Sequence, residues 1–187
     1  MPIGQAKFGL LGGVVDPGKL ELIETKVADG TGTILDFTDL QESTYNVHFM
    51  TINNLQGIDS TASPVYTRLS NDGGSTYETS NYQRAHLLNT FESKTTSSNY
   101  LNTIGPGITN KTGRSSNCYI YFYNLGDSSK YSFATEQGTA WTDGLAYQMQ
   151  FGSSVYTVAE TINAIRLYNA SSRQFTGDVS LYGIAES

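Results

Sequence analysis

Two histidines, a single cysteine and a scatter of aspartates are the residues of this 187-residue chain that could carry acid–base, nucleophilic or metal chemistry. His48 stands between Val47 and Phe49 with no His or Cys at a ligand spacing, and reads as a histidine on the polar face of a strand; the other is His86. Cys118 alternates in phase with Ile120 and Phe122, which predicts a small buried hydrophobe and not a nucleophile. One cysteine excludes an intrachain disulfide and any Cys-x-x-Cys redox or zinc pair. Asp36, Asp39, Asp59, Asp72, Asp127 and Asp143 fall near predicted strand ends or turns, and none forms an EF-hand loop or a paired acidic motif. Asp in turns is expected from its hydrogen bonding to nearby backbone amides. The residues therefore predict no catalytic site, no metal site and no cofactor.

The sharpest local pattern is Ser70-Asn71-Asp72-Gly73-Gly74-Ser75-Thr76-Tyr77, which fits the S-x-D-x-G-x-T-aromatic form of an Asp box. The carboxylate of Asp72 can accept from the amides of its own turn, and Gly73 and Gly74 can supply positive φ angles. Such boxes recur in sialidase propellers, but a propeller needs several copies at blade spacing and this chain has one. Ser70, Asp72, Gly73, Gly74 and Tyr77 are thus expected to form a structural turn at the end of two paired strands. A glycan hydrolase built on this one box is the weakest reading.

Cys118-Tyr119-Ile120-Tyr121-Phe122-Tyr123 is more informative, because strand alternation puts Cys118, Ile120 and Phe122 on one face and Tyr119, Tyr121 and Tyr123 on the other. A tyrosine row pointing away from a core can stack on sugar rings or seal a protein interface. It can also be covered by a loop of its own subunit, for which residues 93–116 are the candidate. No cluster of Trp and carboxylates accompanies the row, and Trp141 sits in a turn-like stretch, so interface or loop cover is preferred to sugar binding.

The elements that must position these residues are strands. Charged residues are only 15% of the chain, with 11 basic against 17 acidic, while Ser, Thr and Asn outnumber them nearly two to one. A net charge of −6 disfavours a surface built on phosphate neutralisation, so no nucleic-acid partner is expected. Period-two alternation recurs near residues 20–28, 32–38, 64–70, 82–91, 117–125, 130–135, 162–169 and 177–184. Tyr45, Val47 and Phe49, and again Leu145, Tyr147, Met149 and Phe151, read as the buried faces of two more strands. The expected fold is all-β: an antiparallel, jelly-roll-like β-sandwich of eight to ten strands over residues 19–187.

Residues 1–18, broken by Gly4, Gly9, Gly12, Gly13, Pro17 and Gly18, read as an irregular N-terminal arm. Its apolar run, Phe8 to Val15, is too short to cross a bilayer and lacks the flanks of an export signal, so no membrane partner is expected. Phe8, Leu10, Leu11, Val14 and Val15 are the candidate contact residues of that arm. Residues 93–116 are too long and polar for a hairpin turn and read as an irregular, potentially functional stretch.

Ile34 to Leu40 (ILDFTDL), Thr44 to Leu55 (TYNVHFMTINNL), the Ser70 to Tyr77 box, Thr161 to Tyr168 (TINAIRLY) and Thr176 to Ile184 (TGDVSLYGI) occur in an order and spacing that resemble small virion structural proteins of tailed bacteriophages, especially phages of marine bacteria and cyanobacteria. The resemblance implies a non-enzymatic structural protein, made in the host bacterial cytoplasm and located in the virion. A capsid decoration or cement protein is the leading expectation and a glycan-contacting receptor-binding module of a tail or head fibre the alternative. It also implies a homo-oligomer, a trimer by analogy, with the major capsid protein or other virion proteins as partners and a host glycan as the partner of the alternative.

Overall fold

The hydrogen-bonding groups of a Thr-, Ser- and Tyr-rich chain are satisfied here by long antiparallel ladders. The computed structural model describes residues 19–89, 91–141 and 147–185. The candidate arm residues Phe8, Leu10, Leu11, Val14 and Val15 lie outside the described residues, as do Asp143 and Leu145.

Twelve strands are described: β1 (Leu20–Asp29), β2 (Ile34–Phe37), β3 (Val47–Gly57), β4 (Ser63–Ser70), β5 (Tyr82–Leu88), β6 (Phe91–Ser98), β7 (Leu101–Ile108), β8 (Ser116–Tyr123), β9 (Ser132–Trp141), β10 (Tyr147–Tyr156), β11 (Ala164–Asn169) and β12 (Phe175–Ile184). They form an eight-stranded sheet in the order β1-β12-β3-β8-β9-β10-β5-β6 and a four-stranded sheet in the order β2-β11-β4-β7. Eight of them pair as a single rolled hairpin, β1 with β12, β2 with β11, β3 with β8 and β4 with β7, which is the pairing of a jelly roll. The other four, β5, β6, β9 and β10, join the large sheet beyond β8 and double its width.

Between the sheets lie Met50 and Ile52 of β3, Ile120 and Phe122 of β8, Val179 and Leu181 of β12, and Val65, Leu69, Ile165 and Leu167 of the small sheet, none more than 1% exposed. Tight burial of this kind is what holds a sandwich without covalent cross-links.

Four expectations need correction. Residues 93–116 are not one irregular stretch: they supply most of β6, all of β7 and the start of β8. Strands β6 and β7 are edge strands of their sheets, where little apolar alternation is required and Pro106 can sit without a ladder donor. Trp141 ends β9 and is not in a turn. The burial phase of β3 is the reverse of the one expected, with His48, Met50 and Ile52 inward and Val47 and Phe49 only half-buried on the other face. The phase of β10 is reversed too: Tyr147, Met149 and Phe151 are 56%, 38% and 47% exposed, whereas Gln150 and Ser154 are buried.

Candidate functional site

Strand β8 alternates as expected. Cys118, Ile120 and Phe122 are buried, and Tyr119, Tyr121 and Tyr123 stand on the outer face of the large sheet. The ladders set their neighbours: Phe49 lies opposite Tyr121, Val47 opposite Tyr123, and on the other side Gln137, Thr135 and Phe133 face Tyr119, Tyr121 and Tyr123 in turn. The rings gather around Phe49, whose centroid is 4.7 Å from Tyr121, 6.0 Å from Tyr119 and 6.2 Å from Tyr182 of β12. Tyr121 and Tyr123 stack at 6.4 Å.

Two tyrosine hydroxyls are held from β9. The Tyr119 hydroxyl donates to Gln137 Oε1 at 2.6 Å, and the Tyr123 hydroxyl lies 3.3 Å from Thr135 Oγ1. Fixing large amphipathic rings before contact reduces the entropy lost on binding. A shallow groove of about 390 Å³ runs along the row, floored by Thr135 and Gln137 and bounded by Phe151. A second of about 320 Å³ opens beside Phe49, Thr51 and Tyr119, and a third of about 730 Å³ beside Leu87, Lys94 and Phe151. All three lie on the outer face of the large sheet.

Among the described residues, no part of 93–116 covers the tyrosines. Strand β7 belongs to the small sheet on the opposite side, and β6 lies at the far edge of the large one. Sequence reasoning missed Phe49, Phe133, Phe151 and Tyr182 as members of this surface. Phe49 and Phe151 stand in alternating runs that read as buried faces, and alternation alone does not tell which face is inside.

The Asp-box residues form a separate structure at the end of β4. Asp72 Oδ1 accepts from the Ser70 hydroxyl at 2.8 Å and from the Thr76 amide at 2.9 Å, and Oδ2 accepts from the Thr76 hydroxyl at 2.7 Å. These bonds hold its carboxyl down at about 2. Gly73 and Gly74 have φ of +74° and +88°. A Cβ on Gly74 would meet the Tyr77 hydroxyl and Thr38 at 2.9 Å, so both backbone and space require glycine there. The flanking strands are not a pair, however. β4 lies in the small sheet and β5 in the large one, so the box turns the chain from sheet to sheet, with the Glu78 amide closing on the Leu69 carbonyl at 2.9 Å.

The Tyr77 ring lies under the Arg166 guanidinium, 3.9 Å away, and Arg166 makes a two-pronged ion pair with Asp36 at 2.7 Å. Burial and the Asp36 charge push the Tyr77 hydroxyl up to about 12. Box and tyrosine row therefore share no site. The box secures the small sheet, while the row lies outside the large one.

Two further aspartates and the cysteine are engaged structurally. Asp59 and Asp127 each accept from the amide two residues on, as turn aspartates do. Burial pushes the Cys118 thiol far above its ordinary range, leaving little thiolate. Among the described residues no group of three or more His, Cys, Asp or Glu is placed to hold a metal ion.

His48 corrects the polar-face expectation, because it is wholly buried and its Nε2 donates to the Leu40 carbonyl at 2.7 Å. Its Nδ1 has no hydrogen-bond partner. Desolvation lowers its pKa against the opposing pulls of the Leu40 bond and the Glu42 charge. Below about pH 6.5 the unfolded chain then binds more protons than the folded one, so stability falls as pH drops through that value. A melting temperature that decreases from pH 7.5 to pH 5.5, with a shallower decrease in His48→Gln, is the expected result. Equal slopes in both proteins would assign the effect elsewhere.

No family model, curated protein or solved structure matches this chain. Among the described residues the site is a wide, uncovered, aromatic sheet face, in a different sheet from the strand that leads into the Asp box.

Proposed function

We propose that this chain is a non-enzymatic structural protein of a bacteriophage particle, a decoration or cement subunit that seals contacts between neighbouring proteins of the head. The contact role rests on the outer face of the large sheet, where Tyr119, Tyr121 and Tyr182 gather around Phe49 and hydrogen bonds to β9 hold Tyr119 and Tyr123 in place. Aromatic residues fixed on a flat surface are the kind that dominate interface energies. The jelly-roll pairing suits the role, since that architecture recurs in viral capsid domains. The virion setting itself comes from the sequence resemblance.

A glycan-contacting fibre module is the second reading, favoured by the amide of Gln137 and the hydroxyl of Thr135 on the floor of the tyrosine groove. Copy number separates the two. Protein bands from purified particles, quantified against the shell protein, are expected to show a copy number that follows the capsid lattice, in hundreds. A few to tens of copies would transfer the chain to a fibre or tail tip. Absence from the particle would refute both.

A further inference from the structure

We infer that the partner seated on the outer face of the large sheet is a second copy of this chain, docked face to face about a two-fold axis. The inference rests on the reading of that face as a contact surface and adds its occupant.

Charge is the first argument. The protein carries a net charge of −6, so two copies repel over most of their surfaces. Every described outward position on β3, β8, β9 and β10 between Val47 and Val155 holds an uncharged side chain. Copies approaching through these four strands bring no like charges together and desolvate none. A strongly acidic or basic partner would find nothing there to pair with, whereas an identical uncharged face matches it.

The flanks add a direction. Lys94 borders the patch on β6, and Tyr182 borders it on β12. The ladders place Lys94, Ala85, Ser153, Thr135, Tyr121, Phe49 and Tyr182 in one row across the sheet, so a two-fold axis running along the strands over Thr135 lays the Lys94 edge of the second copy over Tyr182 of the first, and the reverse. A two-fold axis across the strands would instead oppose like flanks. The first arrangement is also isologous, the usual geometry of a homodimer.

Size is the second argument. From β12 to β5 the sheet spans roughly 24 Å, and the outward rows run a similar distance along the strands, by the ordinary spacings of a β-sheet. That footprint is on the scale of the ~800 Å² per partner of a standard stable interface. It is also continuous: Phe133, Met149 and Phe151, 45%, 38% and 47% exposed, extend the Phe49 cluster without an intervening charge. Single exposed apolar residues are ordinary, but a connected patch of this breadth is the mark of an association surface.

The test uses Thr135, an exposed residue between Tyr121 and Ser153 near the middle of the patch. Full-length protein is expected to sediment in a concentration-dependent monomer–dimer equilibrium. Thr135→Lys and Thr135→Glu, each checked by circular dichroism for an unchanged β spectrum, should each dimerise at least tenfold more weakly. A 1:1 mixture of the two should regain most of the lost affinity, because only an identical partner presents position 135 to position 135. Rescue failing in the mixture would overturn the face-to-face arrangement.

A single 20.4 kDa species at roughly 100 µM, a concentration at which even a weak dimer is populated, would overturn self-docking altogether, as would a trimer. In the monomer case, a Trp141 fluorescence change on adding maltohexaose or chitohexaose would identify a glycan as the occupant instead. Dimer formation by a chain starting at Lys19, when full-length protein stays monomeric, would identify residues 1–18. A monomer in solution combined with lattice-level copy number would sink the dimer while leaving the virion reading standing.

Discussion

Phe122→Ala is expected to remove about 3–5 kcal/mol of folding stability, while Tyr121→Ala, one residue away, removes about 1 kcal/mol. The two side chains leave the same strand in opposite directions. Phe122 is 1% exposed between the sheets, so truncation leaves a cavity that a close-packed core cannot fill. Tyr121 loses mainly its contact with Phe49 on an open face, where solvent takes the vacated space. For a domain of this size the Phe122 loss corresponds to a fall in melting temperature of roughly 6–20 °C. Urea unfolding of both variants checks the contrast. Equal losses would mean that both faces of β8 are packed inside the subunit.

The legible part of the fold was the part in which inward residues are apolar and outward residues polar or aromatic in a clear register. Strand β8 met that condition, as did β12, where Val179 and Leu181 face the core. The Asp box was legible because its chemistry is local: Asp72 needs only Ser70 and Thr76, both within four residues.

Strands β3 and β10 were misread for one shared physical reason. Their outward positions carry Phe49, Met149 and Phe151, and their inward ones include His48, Gln150 and Ser154, all buried. Period two identifies a strand, but the side that faces the core depends on what the rest of the chain lays against it. The reversal in phase coincides with the proposed contact surface, as expected where selection for a binding face competes with the ordinary hydrophobic pattern. Strands β6 and β7 were hidden by a Ser-, Thr- and Gly-rich composition. Within β7, Gly107 has a φ of +92° and a Cβ there would come within 3.0 Å of the Ser63 backbone, so a turn-like residue is required inside a strand.

Replacing Tyr119, Tyr121 and Tyr123 together with Ser is expected to leave the subunit folded and to disable its assembly. The stability cost should stay small beside that of Phe122→Ala, since among the described residues nothing covers the large sheet's outer face and its ladders do not depend on these rings. The association cost should be large, because aromatic anchors near an interface centre are worth about 2 kcal/mol or more each and do not add simply. A loss of at least ~100-fold in affinity, about 2.7 kcal/mol, is the expected minimum. The direct measurement is the self-association of wild-type and triple-variant protein by sedimentation together with their binding to particles stripped of the chain, alongside a melting curve of each. Retained melting with binding reduced at least 100-fold is the expected result; unchanged binding, or a triple variant that no longer folds, would contradict the assignment of this face as the contact surface.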